Sequence, residues 1–69
     1  PVEGRVTAIL KRFLYRMRVP FMRLFDDAGN RSEIVATFLA VLELSKTRRI
    51  RLEGDGEEME LMLTNDNTK

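Results

Sequence analysis

Residues 31–45 read RSEIVATFLAVLELS, a mainly apolar segment that follows a polar turn. The segment is too long for a single buried strand, and its alanine, leucine and glutamate residues favour a helix. Asn30 is a good N-cap residue, and Glu33 is placed to reach back to the Asn30 amide as in a capping box. Basic residues gather after the segment, where they suit the negative end of a helix dipole. The sequence therefore predicts a long central helix around which the rest of the chain folds.

Apolar residues occur on two sides of this helix. At about 100° per residue, one broad side, which we expect to form the core, carries Ile34, Val35, Phe38, Leu39, Val41 and Leu42. A narrower ridge on the other side consists of Thr37, Ala40 and Leu44. Two interpretations of the ridge are open: the termini of the chain cover it, or it contacts another protein. The ridge lacks the Arg, Lys, Asn or Gln side chains that would read DNA bases.

The N-terminal third predicts a second, basic amphipathic helix from residue 2 to about residue 17. Its apolar residues recur in steps of three and four: Val2, Val6, Ile9, Leu10, Phe13, Leu14 and Met17. Such a helix can lie on a membrane surface, but packing against the central helix explains the stripe better. Pro20 ends this helix and begins a short helical turn, in which Phe21, Leu24 and Phe25 point inward.

The C-terminal third predicts a β-hairpin. Ile50 and Leu52 alternate with charged residues, and two glycines in residues 54–56 provide a tight turn. In the return strand, Met59, Leu61 and Leu63 face inward and Met62 faces outward. The element order predicts an α+β winged-helix domain over residues 1–63, with three helices (the second one short) and a hairpin wing, followed by a flexible tail at residues 64–69.

Composition excludes several kinds of chemistry. The chain has 69 residues, a formal net charge of +1, no Cys and no His. Disulfides and His-bearing metal sites are therefore excluded, and no hydroxyl has a His to activate it. The hairpin carboxylates do not match a calcium loop, so we expect no enzyme activity, no cofactor and no metal. No segment predicts a membrane span or a signal peptide, and a chain beginning at Pro1 suggests part of a longer protein.

Charge distribution bears on the alternative function, that of a DNA-binding winged-helix domain of a transcription regulator. Basic residues are concentrated in the first third of the chain, whereas the hairpin is acidic. An acidic wing would be repelled by phosphate, so the composition favours a protein partner.

The residues of the central helix resemble a known family. Residues 32–44, the basic residues after them and the strand Ile50-Arg51-Leu52 are similar to the C-terminal segment of the bacterial kleisin family, segregation and condensation protein A. The resemblance extends from the first helix to Leu63, and its most specific part is TFLA at residues 37–40 together with LEL at residues 42–44. The hairpin departs from the family pattern. The segment at residues 53–58 is shorter than in the family, and it lacks the Gln that usually follows the first strand and the aromatic residue that usually precedes the second.

The resemblance implies a non-catalytic winged-helix domain that docks on the ATPase head of an SMC protein. Docking would close a ring around chromosomal DNA, in the cytoplasm at the nucleoid. The domain would contact the DNA only indirectly and would bind no membrane. Other parts of the kleisin would bind a second SMC subunit and a small accessory winged-helix protein. Combined with the two apolar sides, this predicts Thr37, Ala40 and Leu44 at the centre of the docking face and Arg48 and Met62 at its margin. A weak homodimer is the alternative use of the ridge.

Overall fold

The computed structural model describes residues 2–64 of the chain. It contains the helices α1 (Val2–Arg12) and α2 (Arg31–Lys46), the strands β1 (Arg18–Pro20), β2 (Ile50–Glu53) and β3 (Glu60–Leu63), and two short 3₁₀ segments (Phe21–Phe25 and Gly56–Glu58). The predicted α+β class is confirmed. The middle helix is a 3₁₀ helix rather than a third α-helix. Most of the predicted tail, residues 65–69, lies outside the described residues.

The three strands form one antiparallel sheet in the order β1-β3-β2. Leu61 in the central strand β3 is opposite Val19 of β1 and Leu52 of β2. The sequence pattern did not predict β1, because three residues are too few to show an alternation of apolar and polar positions. Pairing with β3 is what makes this segment a strand.

The core lies between the two helices and one face of the sheet. Its buried apolar residues are Ile9, Val19, Leu24, Ala40, Val41, Leu44, Ile50 and Leu61. Phe21 and Phe25 pack against this core in an edge-to-face pair with ring centroids 5.2 Å apart. The predicted inward orientation of the short middle helix is therefore confirmed.

Both ends of α2 have hydrogen-bonded caps. The Glu33 amide donates to the Asn30 side chain at 2.9 Å, which confirms the predicted N-cap. The Glu33 carboxylate accepts from the Gly29 amide at 2.6 Å, one residue before the expected partner. At the other end, Arg48 adopts a left-handed conformation with φ 63°, and its amide and that of Arg49 bond to carbonyls of the last helical turn. This is a Schellman cap in which an arginine occupies the position that usually holds glycine.

Helix α1 is shorter than predicted. It ends at Arg12, and the next three amides donate to carbonyls three residues back, in a tightening turn. Leu14 and Met17, which the periodicity placed on the apolar stripe, are 74% and 88% exposed. The chain leaves the helix early because the residues before Pro20 extend to pair with β3.

The predicted hairpin is present, with differences in which side chains it buries. Ile50 and Leu61 are buried, as expected, whereas Leu52 and Leu63 are exposed and Met62 is half-buried. Gly54 follows β2 directly with φ 85°, a conformation that favours glycine.

Gly54→Ala should therefore lower the free energy of unfolding by about 2 kcal/mol. A Cβ atom at this position would lie 2.8 Å from the Glu58 carbonyl oxygen, in addition to the unfavourable φ. Gly56→Ala is the matched control, because Gly56 also has a positive φ (59°) but a Cβ there has no neighbour within 4 Å. Urea denaturation, monitored by circular dichroism, compares the free energies of unfolding of the two variants. Equal losses at both positions would show that close approach to Glu58 does not matter.

Candidate interaction surface

The small ridge of α2 faces the inside of the domain. Thr37, Ala40 and Leu44 are each at most 1% exposed, so the prediction that they form the centre of an outward docking face is wrong. Helix α1 packs against this side of α2, and the small Ala40 side chain suits the close approach of the two backbones. Of the two interpretations of the ridge, cover by the chain itself is the one that the structure supports.

A hydrogen-bonded network explains how a threonine fits in this core. The Thr37 hydroxyl donates to the Glu33 carbonyl at 2.8 Å and accepts from the Arg5 Nε at 2.8 Å. A fully buried hydroxyl without partners would destabilise the domain, and here the hydroxyl both donates and accepts a hydrogen bond. Sequence inspection missed Arg5 because its partner is 32 residues away.

Arg5 also ties α1 to the segment before α2. Its terminal nitrogen lies 2.9 Å from the Asp27 carboxylate and 3.4 Å from the Leu24 carbonyl oxygen. The hydrogen bond from Arg5 lowers the pKa of Asp27 below its ordinary value. One largely buried guanidinium thus connects three elements, and its role is to hold the fold together.

The opposite side of α2 is apolar and open to solvent. Five large side chains on it are each 44–49% exposed: Ile34, Val35, Phe38, Leu39 and Leu42. We call these five residues the outer face. They were predicted to form the core, and that prediction is wrong; of the six residues assigned to the core side, Val41 alone is buried. The exposure of these five side chains makes the outer face the candidate interaction surface of the domain.

The outer face has a basic residue at each end. At about 100° per residue, Arg31 and Lys46 project from the same side as Leu42, at the first and last positions of α2. Both are exposed. An apolar centre with basic ends matches a partner with an apolar patch and acidic margins.

The remaining two predicted contact residues lie elsewhere. Arg48 is exposed at the C-terminal cap of α2, and Met62 is half-buried in β3, in register with Arg18 and Arg51. Their participation in binding stays a prediction.

Within residues 2–64, no group of three or more acidic side chains is arranged to hold a metal ion. In the same range, neither helix is sufficiently long and apolar to cross a membrane. Among the described residues, the outer face of α2 holds the largest group of exposed large apolar side chains on one element.

Comparison with known proteins identifies relatives along nearly the whole chain. The family model described as segregation and condensation protein ScpA matches residues 2–65. A segregation and condensation protein A of Bacillus cereus is 40% identical over 68 residues, which is 97% of this chain and 27% of that protein. The Enterococcus faecalis protein of the same name is 33% identical over 70 residues, and covers 99% of this chain and 26% of its own length. The chain thus spans about a quarter of these curated relatives.

Proposed function

The chain belongs to the segregation and condensation protein A family, and on that premise we propose that it is a non-catalytic domain that docks on the ATPase head of an SMC protein. Docking would connect the head to the rest of the kleisin and so close an SMC–kleisin ring for chromosome segregation and condensation. The assignment to the C-terminal segment of the kleisin is part of this proposal.

The observation that carries the proposal is the outer face of α2. Burying five half-exposed large apolar side chains provides a hydrophobic driving force of roughly 25 cal/mol for each Å² removed from water. Phe38 is in the middle of the face, between Ile34 and Leu42 one helical turn away on either side. Central aromatic residues of this kind contribute most to the affinity of protein interfaces.

A protein surface suits the outer face better than DNA does. A helix that reads DNA presents polar and basic side chains to base edges, whereas this face is apolar between its two basic ends. The acidic hairpin also lacks the positive charge of a DNA-binding wing. These features do not support the alternative of a transcription regulator.

The winged-helix description belongs to the same proposal. Helix α1, the 3₁₀ helix at Phe21–Phe25, helix α2 and the β2–β3 hairpin follow one another as in a winged helix, with β1 completing the sheet. In this arrangement α2 occupies the place of the second helix of a helix-turn-helix, which leaves one side open. Here that open side carries the docking residues.

Phe38→Glu should weaken binding to the purified SMC head by at least about 30-fold in isothermal titration calorimetry, because it places a charge at the centre of an apolar interface. Met22→Glu is the matched control: Met22 is 54% exposed, close to the 48% of Phe38, and it lies outside the outer face. We expect the control to bind within about threefold of the wild type. Circular dichroism and thermal melting establish that both variants are folded.

Two results would contradict the proposal. If Phe38→Glu and the wild type bind the head equally well, the docking surface is elsewhere. If the wild type does not bind the head but forms a dimer in analytical ultracentrifugation that Phe38→Glu abolishes, the outer face binds a second copy of this chain instead.

A further inference from the structure

A second surface feature is separate from the outer face. A cleft of about 210 Å³ lies between the end of α1, β1 and the 3₁₀ helix that follows β1. Its lining residues are Arg12, Tyr15, Arg16, Val19, Pro20 and Arg23. The cleft shares no residue with the outer face, and neither the fold nor the docking proposal requires its three arginines.

The three arginines of this cleft form no ion pair among the described residues. In the part of the chain that the structure describes, arginines 5, 18 and 51 form ion pairs with carboxylates, whereas Arg12, Arg16 and Arg23 form none. Over residues 2–23 there are six basic side chains and a single acidic one, Glu3. Three unpaired guanidiniums around one concavity create a positive potential that attracts an anion. Their planar donor groups suit phosphate oxygens in particular.

The lining of the cleft also includes one aromatic and two apolar residues. Tyr15 is 87% exposed although it lines the cleft, so the face of its ring is available for stacking. Val19 and Pro20 are the apolar residues of the lining. An exposed aromatic ring beside several arginines is the combination with which proteins bind single-stranded nucleic acid, because bases stack on the ring while the backbone contacts the cations.

We infer that this cleft binds a single strand of nucleic acid, with one or two backbone phosphates on the three arginines and an unpaired base on Tyr15. Such a contact is independent of sequence, because every base has a face that can stack on Tyr15 and every nucleotide carries a phosphate. It is also independent of docking on the SMC head, so each proposal can fail without the other.

Acidic residues limit the path of the strand. On the far side of Pro20, a neighbouring concavity is lined by Glu57, Glu58 and Glu60, which would repel phosphate. Lys11 is exposed at the end of α1, beside Arg12. The strand therefore runs from the cleft toward the end of α1 and away from the hairpin.

Fluorescence anisotropy with a labelled 12-nucleotide oligothymidine tests this inference. With one or two phosphates neutralised on a single strand, affinity should fall about threefold to sevenfold between 50 and 200 mM salt. At 50 mM salt, the triple variant Arg12→Gln/Arg16→Gln/Arg23→Gln should bind at least about tenfold more weakly than the wild type. Tyr15→Leu should lose about fivefold to a hundredfold by removing the stacking surface.

The matched control is Arg31→Gln/Arg48→Gln/Arg49→Gln, which removes the same charge from exposed arginines outside the cleft. It should bind within about threefold of the wild type, and circular dichroism checks the folding of every variant. Equal losses in the two triple variants would overturn the inference, because binding would then reflect net charge alone. Equal affinity for the oligothymidine and for a duplex of the same length would contradict stacking on Tyr15. NMR shifts at the cleft with inorganic phosphate, without any binding of oligonucleotide, would overturn the assignment to nucleic acid.

Discussion

Leu44→Glu should unfold the domain. Leu44 is 1% exposed and lies in the core among residues of α1 and the sheet. Removing a buried leucine side chain costs about 2–5 kcal/mol, and burying a carboxylate without a partner adds to that cost. A chain of this length has a total stability of roughly 3–10 kcal/mol. We therefore expect a circular dichroism spectrum without helical signal at 25 °C.

Leu42→Glu provides the comparison on the same helix. Leu42 is 46% exposed and lies two residues away, on the outer face. This variant should keep the helical spectrum and unfold within about 1 kcal/mol of the wild type in urea, since exposed substitutions have small effects. The pair measures the orientation of α2 directly: a folded Leu44→Glu together with an unfolded Leu42→Glu would show that the helix is turned the other way.

Arg5→Met should lower the free energy of unfolding by about 2 kcal/mol. The substitution keeps an unbranched stem but removes the donors to Thr37, Asp27 and the Leu24 carbonyl oxygen. Hydrogen bonds from a charged donor contribute more than neutral ones, and the bond to Thr37 is shielded from water. Urea denaturation of the wild type, Arg5→Met, Thr37→Val and the double variant forms a double-mutant cycle. The double variant should lose about 1 kcal/mol less than the sum of the single losses; strict additivity would show that the two side chains are not coupled.

Acidification provides an independent readout of the same network. Arg5 lowers the pKa of Asp27 in the folded state, so the ion pair stabilises the domain above the ordinary aspartate pKa of about 4. That contribution is lost as the pH falls through the lowered pKa. Between pH 5 and pH 2, the wild type should therefore lose more stability than Arg5→Met. Asp27→Asn, which cannot titrate, should resemble Arg5→Met, and identical pH profiles for all three proteins would contradict the linkage.

The conformation of Arg48 at the end of α2 depends on the fold as well as on the local sequence. The basic residues that follow Ser45 indicated where the helix ends, and α2 does end at Lys46, but the left-handed conformation of Arg48 is visible only in the fold. The same holds for β1, which exists because β3 is available as a partner.

Local signals in the sequence were sufficient to predict the helices and the hairpin and to recognise the family. The Asn30 cap, the proline at position 20, the glycines of the hairpin and the apolar content of α2 each act over a few residues, so they could be read directly. The TFLA and LEL segments carried the resemblance to the family, which the comparisons confirm.

The direction in which α2 faces was decided by tertiary structure alone. This helix has apolar residues on nearly every side, so hydrophobicity could not distinguish the buried side from the exposed side. Larger side chains suggested the core, but the space between α1 and the sheet accepts Ala40 and the hydrogen-bonded Thr37 instead. The buried side of a helix is the side on which its neighbours can approach and satisfy its polar groups, and those neighbours, including Arg5, are distant in the sequence.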